Sequence, residues 1–231
     1  RQRQMCIRDS SEAVQFLTDP ANWSGATGIP QRLLEHVGYS VLTMGIALAI
    51  AVPLGLWVGH TRRGGGVIVG LAGALRSLPT LGLLSLFTLL MGLGLMPPIL
   101  ALVLLAIPPI LSGTYSGVAA VSPALVDAAR SMGMTEGQVL TRVEIPVALP
   151  VILGGIRNAA LQVLATVTIV AYINLGGLGR YLIDGLAVRD YARMLASVVL
   201  VAVLALAADA VLALVQRLVT SPGLRLAGDR P

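Results

Sequence analysis

Long uncharged apolar stretches, separated by short polar or glycine- and proline-rich turns, set the pattern of this chain. Residues 39–59 and 159–179 contain no charged side chain, and each matches the roughly 20 residues that cross about 30 Å of hydrocarbon as a helix. Residues 77–126 are also uncharged, with Gly94-Leu95-Met96-Pro97-Pro98 marking a turn between two spans, and residues 194–216 are interrupted only by Asp209. The pattern predicts an all-α polytopic membrane protein with about five spans, at 37–59, 68–93, 97–120, 149–173 and 193–217. The second is read as one tilted helix kinked at Pro79, the alternative being an interfacial helix followed by a short span. Pro108-Pro109 breaks the third pattern, and is tolerated in a membrane only where neighbouring helices satisfy the freed carbonyls. That segment is expected inside a bundle.

The composition is 56% hydrophobic and 12% charged, against about 25% charged for a soluble domain. All 16 basic residues are arginine. With five spans and the N-terminus outside, the inner segments hold Arg62, Arg63, Arg130, Arg142, Arg217, Arg225 and Arg230, and the outer ones Arg32, Arg180, Arg189 and Arg193. The excess predicts N-out, C-in; adding Arg1, Arg3 and Arg8 to the outer side evens the tally. Residues 1–10 differ in composition from the rest and are read as a non-native tail, with a basic lipid-binding arm as the alternative. Residues 11–36 are read as an extracytoplasmic lead-in, 37–217 as the transmembrane domain and 218–231 as a cytoplasmic tail. No cleavable signal peptide or appended soluble domain is read in the pattern.

The single cysteine, Cys6, offers no internal disulfide and no cysteine metal site. His36 and His60 fall at opposite ends of one span, too far apart to share a metal or a catalytic pair. No catalytic, cofactor or metal site is expected, and the net charge of +5 carries no nucleic-acid signature.

Between the third and fourth spans lies a charged segment, 122–146. Ser122 and Pro123 can start a helix that Gly133 ends by taking the left-handed conformation. Thr135 and Gln138 have capping-box spacing for a second helix, which Pro146 is expected to stop. The product is helix, glycine corner, helix. The small pair Ala128-Ala129 leaves room for another surface, and Arg130 and Glu136 can fix its register.

Asp127-Ala128-Ala129, three residues, Gly133, nine residues and Val143-Glu144-Ile145-Pro146 resemble the signature of the inner-membrane permeases of binding-protein-dependent ATP-binding-cassette importers, the MetI-like permease fold. Asp, Val and Ile stand where that signature has Glu, Ile and Leu. Arg76-Ser77-Leu78-Pro79-Thr80-Leu81, Pro108-Pro109-Ile110-Leu111 and Gly176-Gly177-Leu178-Gly179-Arg180-Tyr181 look like the glycine betaine, carnitine and choline branch. The resemblance implies an osmoprotectant importer in the bacterial inner membrane, with 122–146 as the helix that couples it to a cytoplasmic ATPase. Asp127, Ala128, Ala129, Arg130, Gly133, Ile145 and Pro146 would then be the coupling residues. It also implies a second permease, a copy or a paralogue, an extracytoplasmic substrate-binding protein, and ATP and Mg²⁺ bound by the ATPase rather than this chain. An importer for methionine, a polar amino acid or a sulfonate, or a non-transporting scaffold, are the alternatives.

Asn158, Gln162 and Thr166 recur every four residues on one face of the fourth span. They either line a translocation path or hydrogen-bond between helices. Arg157 is expected to snorkel to the inner headgroups. Asp209 is a functional candidate by its depth, or else is paired within the bundle or marks a shifted span boundary. The glycine cluster at 176–179 lacks the lysine and strand of a phosphate loop and is read as a turn or re-entrant corner.

Overall fold

The computed structural model describes residues 2–220, with side chains from residue 10, and these residues form helices and turns without a strand. The expected tail at 1–10 has no described side chain before Ser10, and the expected C-terminal tail lies outside the described residues from 221 onward. In order, the elements are α1 (Gln2–Thr18), a 3₁₀ turn (Pro20–Trp23), α2 (Ile29–Thr61), α3 (Gly65–Arg76), α4 (Thr80–Met91) and α5 (Met96–Ala119). There follow α6 (Pro123–Ser131), α7 (Glu136–Val139), a π turn (Leu140–Glu144), α8 (Ile145–Thr166), a 3₁₀ stretch (Val167–Ile173), α9 (Gly179–Val188) and α10 (Tyr191–Val219). Four helical runs, α2, α5, Glu136–Ile173 and α10, are long and apolar enough to cross a membrane, and α3 with α4 makes a fifth span when the two are counted as one.

That fifth span departs from the single kinked helix expected at 68–93. Pro79 takes the extended conformation, and a proline disfavours helical geometry at the residue before it. The chain therefore breaks at Ser77–Pro79 into two helices of 12 residues each. Each reaches only about 18 Å at 1.5 Å per residue, so neither crosses alone. α5, by contrast, runs unbroken through Pro108 and Pro109, both buried. Pro146 also fails to stop its helix. The preceding π turn widens the backbone, with Ile145 N–H reaching Leu140 O, so the proline enters where its missing donor and its ring disturb the ladder least.

Cα packing divides the chain into two compact units. The first contains residues up to Met44, Pro79–Leu102 and Leu161–Ala208. Within it the lead-in docks on α9 through an edge-on contact of Phe16 with Tyr181 at 5.4 Å. Tyr181 Oη donates to Thr27 O at 2.6 Å, and Ile29, Leu178 and Tyr181 form a small core. The 176–179 glycines make the turn into α9. Gly177 adopts φ +91°, and its N–H donates to Glu35 Oε2 at 2.8 Å. His36 is fully buried and donates from Nε2 to Leu164 O at 2.9 Å.

The second unit contains Gly45–Leu78, Val103–Ala160 and the chain from Asp209. Small residues let its helices touch backbone to backbone, as is common where lipid removes the hydrophobic drive between helices. Gly55 and Gly59 of α2 face Thr114 and Val118 of α5, and Gly113 and Gly117 of α5 face Gly155 and Val151 of α8. α10 is fixed to α8 by polar contacts. Gln216 Nε2 donates to Pro150 O at 3.0 Å. Arg157 Nε and Nη2 donate to the two oxygens of Asp209 at 2.5 and 2.7 Å.

Arg157 thus does not snorkel; it forks onto Asp209, which is paired within the bundle. A planar guanidinium meets a carboxylate through two parallel bonds, and in hydrocarbon the loss of one partner strands the other. Asp209→Ala alone should therefore lower the yield of monodisperse protein in detergent further than Arg157→Leu with Asp209→Leu together. Equal loss in the single and the double variant would show that the pair is dispensable.

Candidate functional site

The 122–146 hairpin belongs wholly to the second unit. Ser122 precedes α6 and its carbonyl accepts from the N–H groups of Leu125 and Val126, but its hydroxyl makes no cap. Pro123 at the first helical position removes one donor that would otherwise be orphaned. The exit is a Schellman corner. Gly133 sits at φ +85°, its N–H bonds Arg130 O, and Met134 N–H bonds Ala129 O. Thr135 and Gln138 then form the expected capping box, each side chain bonding the other's backbone N–H. Both ends of the corner are closed by local bonds, so the hairpin is stiff without a partner.

One side of it is core. Val126, Ala129 and Val139 are buried with Val118, Val121, Ala148 and Ile152, and Met134 and Val143 pack against them. The other side is open: Leu125, Asp127, Ala128, Met132 and Gly133 are exposed. Ala129, expected on the docking face with Ala128, instead belongs to the core. Ile145 is half-buried and Pro146 exposed at the start of α8. Leu125 and Met132, 43% and 72% exposed, are apolar members of the open face that the motif does not name. Their spacing of seven residues, flanking Ala128, is the signal that would have revealed them.

The charges largely satisfy one another. Arg130 grips Glu136 with Nε and Nη2 at 2.9 and 3.0 Å, and Asp127 lies 3.5 Å from its guanidinium. Hydrogen bonding to Glu136 raises the Arg130 pKa, and the same bonds hold the Glu136 carboxyl below the usual carboxylate range. His60, at the last turn of α2, joins this network. Its Nδ1 is 2.5 Å from Glu144 Oε2 and its Nε2 is 3.2 Å from Glu136 Oε2. Arg62, in the left-handed conformation just past α2, donates to Val121 O at 2.9 Å. Sequence reasoning did not connect His60 with the hairpin. The available signal was Glu144, an acid among apolar neighbours that would need a cation.

The remaining predicted residues lie along α8. Asn158 is exposed, while Gln162 and Thr166 are half-buried. The Thr166 hydroxyl bonds back to Gln162 O at 2.7 Å, a local bond that ties no second helix.

Residues 51–221 match the family of binding-protein-dependent transport system inner membrane components. The chain belongs to that family. It is a transport permease subunit and an inner membrane component. It is 35% identical over 191 residues to the glycine betaine/carnitine/choline transport system permease protein OpuCB of Bacillus subtilis, covering 83% of this chain and 88% of that protein. It is 32% identical over 219 residues to the osmoprotectant import permease protein OsmW of Salmonella typhimurium, covering 93% and 100%. A solved inward-facing structure of the MetNI methionine transporter superposes with a TM-score of 0.72 at 21% identity, covering 84% of this chain and 96% of that one. The fold is therefore the MetI-like permease fold, and the described residues form helices without a strand, as expected for an all-α protein.

Proposed function

We propose that this chain is the permease of an ATP-driven importer for a small osmoprotectant such as glycine betaine, choline or carnitine. The 122–146 hairpin couples it to a separate cytoplasmic ATPase, which binds ATP and Mg²⁺. An extracytoplasmic binding protein delivers the solute, and a second permease, copy or paralogue, completes the pathway. The N-terminus is outside and the C-terminus cytoplasmic, in agreement with the arginine distribution.

The observation that carries this reading is the hairpin itself. Its glycine corner and second helix are capped, Arg130 is paired with Glu136, and Leu125, Ala128, Met132 and Gly133 form an exposed face that is apolar or small. A stiff element with such a face moves as a body when a partner grips it, and gripping alters the permease only if the contacts differ between its two states. The names of the relatives at 32–35% identity support the solute class. A quaternary ammonium is held tightly by stacked aromatic faces, and only 4% of this chain is aromatic. The binding protein therefore discriminates, and the permease offers a low-affinity route past Asn158, Gln162 and Thr166.

The test is uptake of labelled glycine betaine and choline at high osmolarity. The host lacks its own osmoprotectant transport and expresses the permease with the neighbouring ATPase and binding-protein genes. Saturable, ATP-dependent uptake of either solute is expected. Uptake of methionine or a sulfonate instead would keep the importer and replace the solute.

A further inference from the structure

We propose that His60 is a positioning residue that ties the coupling hairpin to the end of α2, so that a displacement of the hairpin is passed to that helix. The proposal rests on the coupling role of 122–146 given above and names the link inside the permease.

The geometry is specific. Glu136 opens α7 and Glu144 closes the π turn that leads into α8, so the two carboxylates bracket the second half of the hairpin. One imidazole meets both, Nδ1 toward Glu144 at 2.5 Å and Nε2 toward Glu136 at 3.2 Å. The side chain of Glu144 is 2% exposed and that of His60 15%. Both ring nitrogens are engaged: Nδ1 hydrogen-bonds Glu144, and Nε2 makes the longer charge contact with Glu136. The last turn of a helix also favours a cation, and His60 stands there. The direct Nδ1 contact leaves no room for an intervening metal, and no group fit to hold one occurs among the described residues.

The surroundings close the link from other sides. A cavity of about 270 Å³ beside it is bounded by Arg62 from the end of α2, Asp127 and Arg130 from α6, and Glu144. Arg63 lines a second opening next to His60. Arg130 is already committed to Glu136 and Arg62 to Val121 O, so neither guanidinium replaces His60 at Glu144. Removing the imidazole leaves a buried acid without its partner, and leaves the hairpin attached to α2 through the Arg62 bond and apolar contact.

The experiment uses the complete importer, permease with ATPase and binding protein, in proteoliposomes. It reads labelled glycine betaine moved per ATP hydrolysed. His60→Ala should lower that ratio about tenfold, within the usual range of coupling between sites, with the ATPase still co-purifying. His60→Lys, which keeps a cation beside the two carboxylates, should restore part of it, and His60→Gln, which fills the space without the charge, should not. His60→Ala with Glu144→Gln should be no worse than His60→Ala alone, because both break one link. A normal ratio in His60→Ala, or equal rescue by Gln and Lys, would overturn the proposal; should His60→Ala fail to insert, the Gln and Lys pair decides. Gly133→Arg is measured in the same series: a normal ratio there overturns the coupling role itself, whereas its loss beside a normal His60→Ala overturns the link alone.

Discussion

Replacing Gly133 by arginine should leave the permease folded in the membrane and abolish ATP-coupled uptake. Gly133 adopts φ +85°, and a Cβ built there meets no atom within 4 Å. The substitution therefore causes no internal clash. Its intramolecular cost is the left-handed backbone, about 1–2 kcal/mol for an ordinary L residue, borne at a corner that also has two Schellman bonds and a capping box. What arginine does introduce is a long charged side chain on the small, exposed surface between Met132 and the capping box. If that surface is a docking face, the intrusion is decisive. Gly133→Asn separates the two effects, since asparagine tolerates the left-handed region and is short; it should retain most of the uptake. Membrane abundance by quantitative immunoblot and uptake of labelled glycine betaine, measured on the same cells, check both variants. Equal loss in the Asn and Arg variants would move the cause from the partner to the backbone.

Gly155→Val should have the opposite signature, with little folded protein. A Cβ at Gly155 falls 2.7 Å from Pro109 O and 3.0 Å from Gly113 Cα, and both are backbone atoms that cannot rotate away. α5 and α8 would have to separate along the seam that also includes Gly117 and Val151. Overpacking a well-filled contact costs typically 1–3 kcal/mol, and here the apolar surroundings offer no gain from separating the helices. The neighbouring residue is the control: a Cβ at Gly154 meets nothing within 4 Å, so Gly154→Ala should leave the yield and thermal midpoint in detergent unchanged. Normal yield of Gly155→Val would show that the seam yields more easily than its distances indicate.

What was legible in the sequence was local. Gly133, the Thr135–Gln138 box and the start of α6 at Pro123 each follow from backbone chemistry within a few residues, and their spacing to Glu144-Ile145-Pro146 identified the family. Apolar length located the long helices for the same reason. The misreadings arose where one local rule met a longer-range adjustment. Pro146 reads as a stop, yet the π turn at Leu140–Glu144 carries the helix past it. Pro79 reads as a kink, yet the chain breaks into α3 and α4. Arg157 and Asp209 are 52 residues apart and pair directly, which no periodicity reveals. The division of Ala128 from Ala129, one exposed and one in the core, depends on how α6 is rolled against Val139 and Ala148. His60 joined the hairpin for the same long-range reason, 84 residues from Glu144.

The most direct test of the central claim, that the 122–146 hairpin seats against an ATPase, is site-directed cross-linking in the assembled importer. Cys6 is first replaced by serine, and a single cysteine is placed at Met132 on the open face or, as control, at Leu206 on α10, which is 70% exposed. A cross-linked product with the ATPase is expected from position 132 and none from position 206, with a yield that changes when ATP is added. Absence of a product from 132 while the ATPase co-purifies, or equal products from both positions, would contradict the claim.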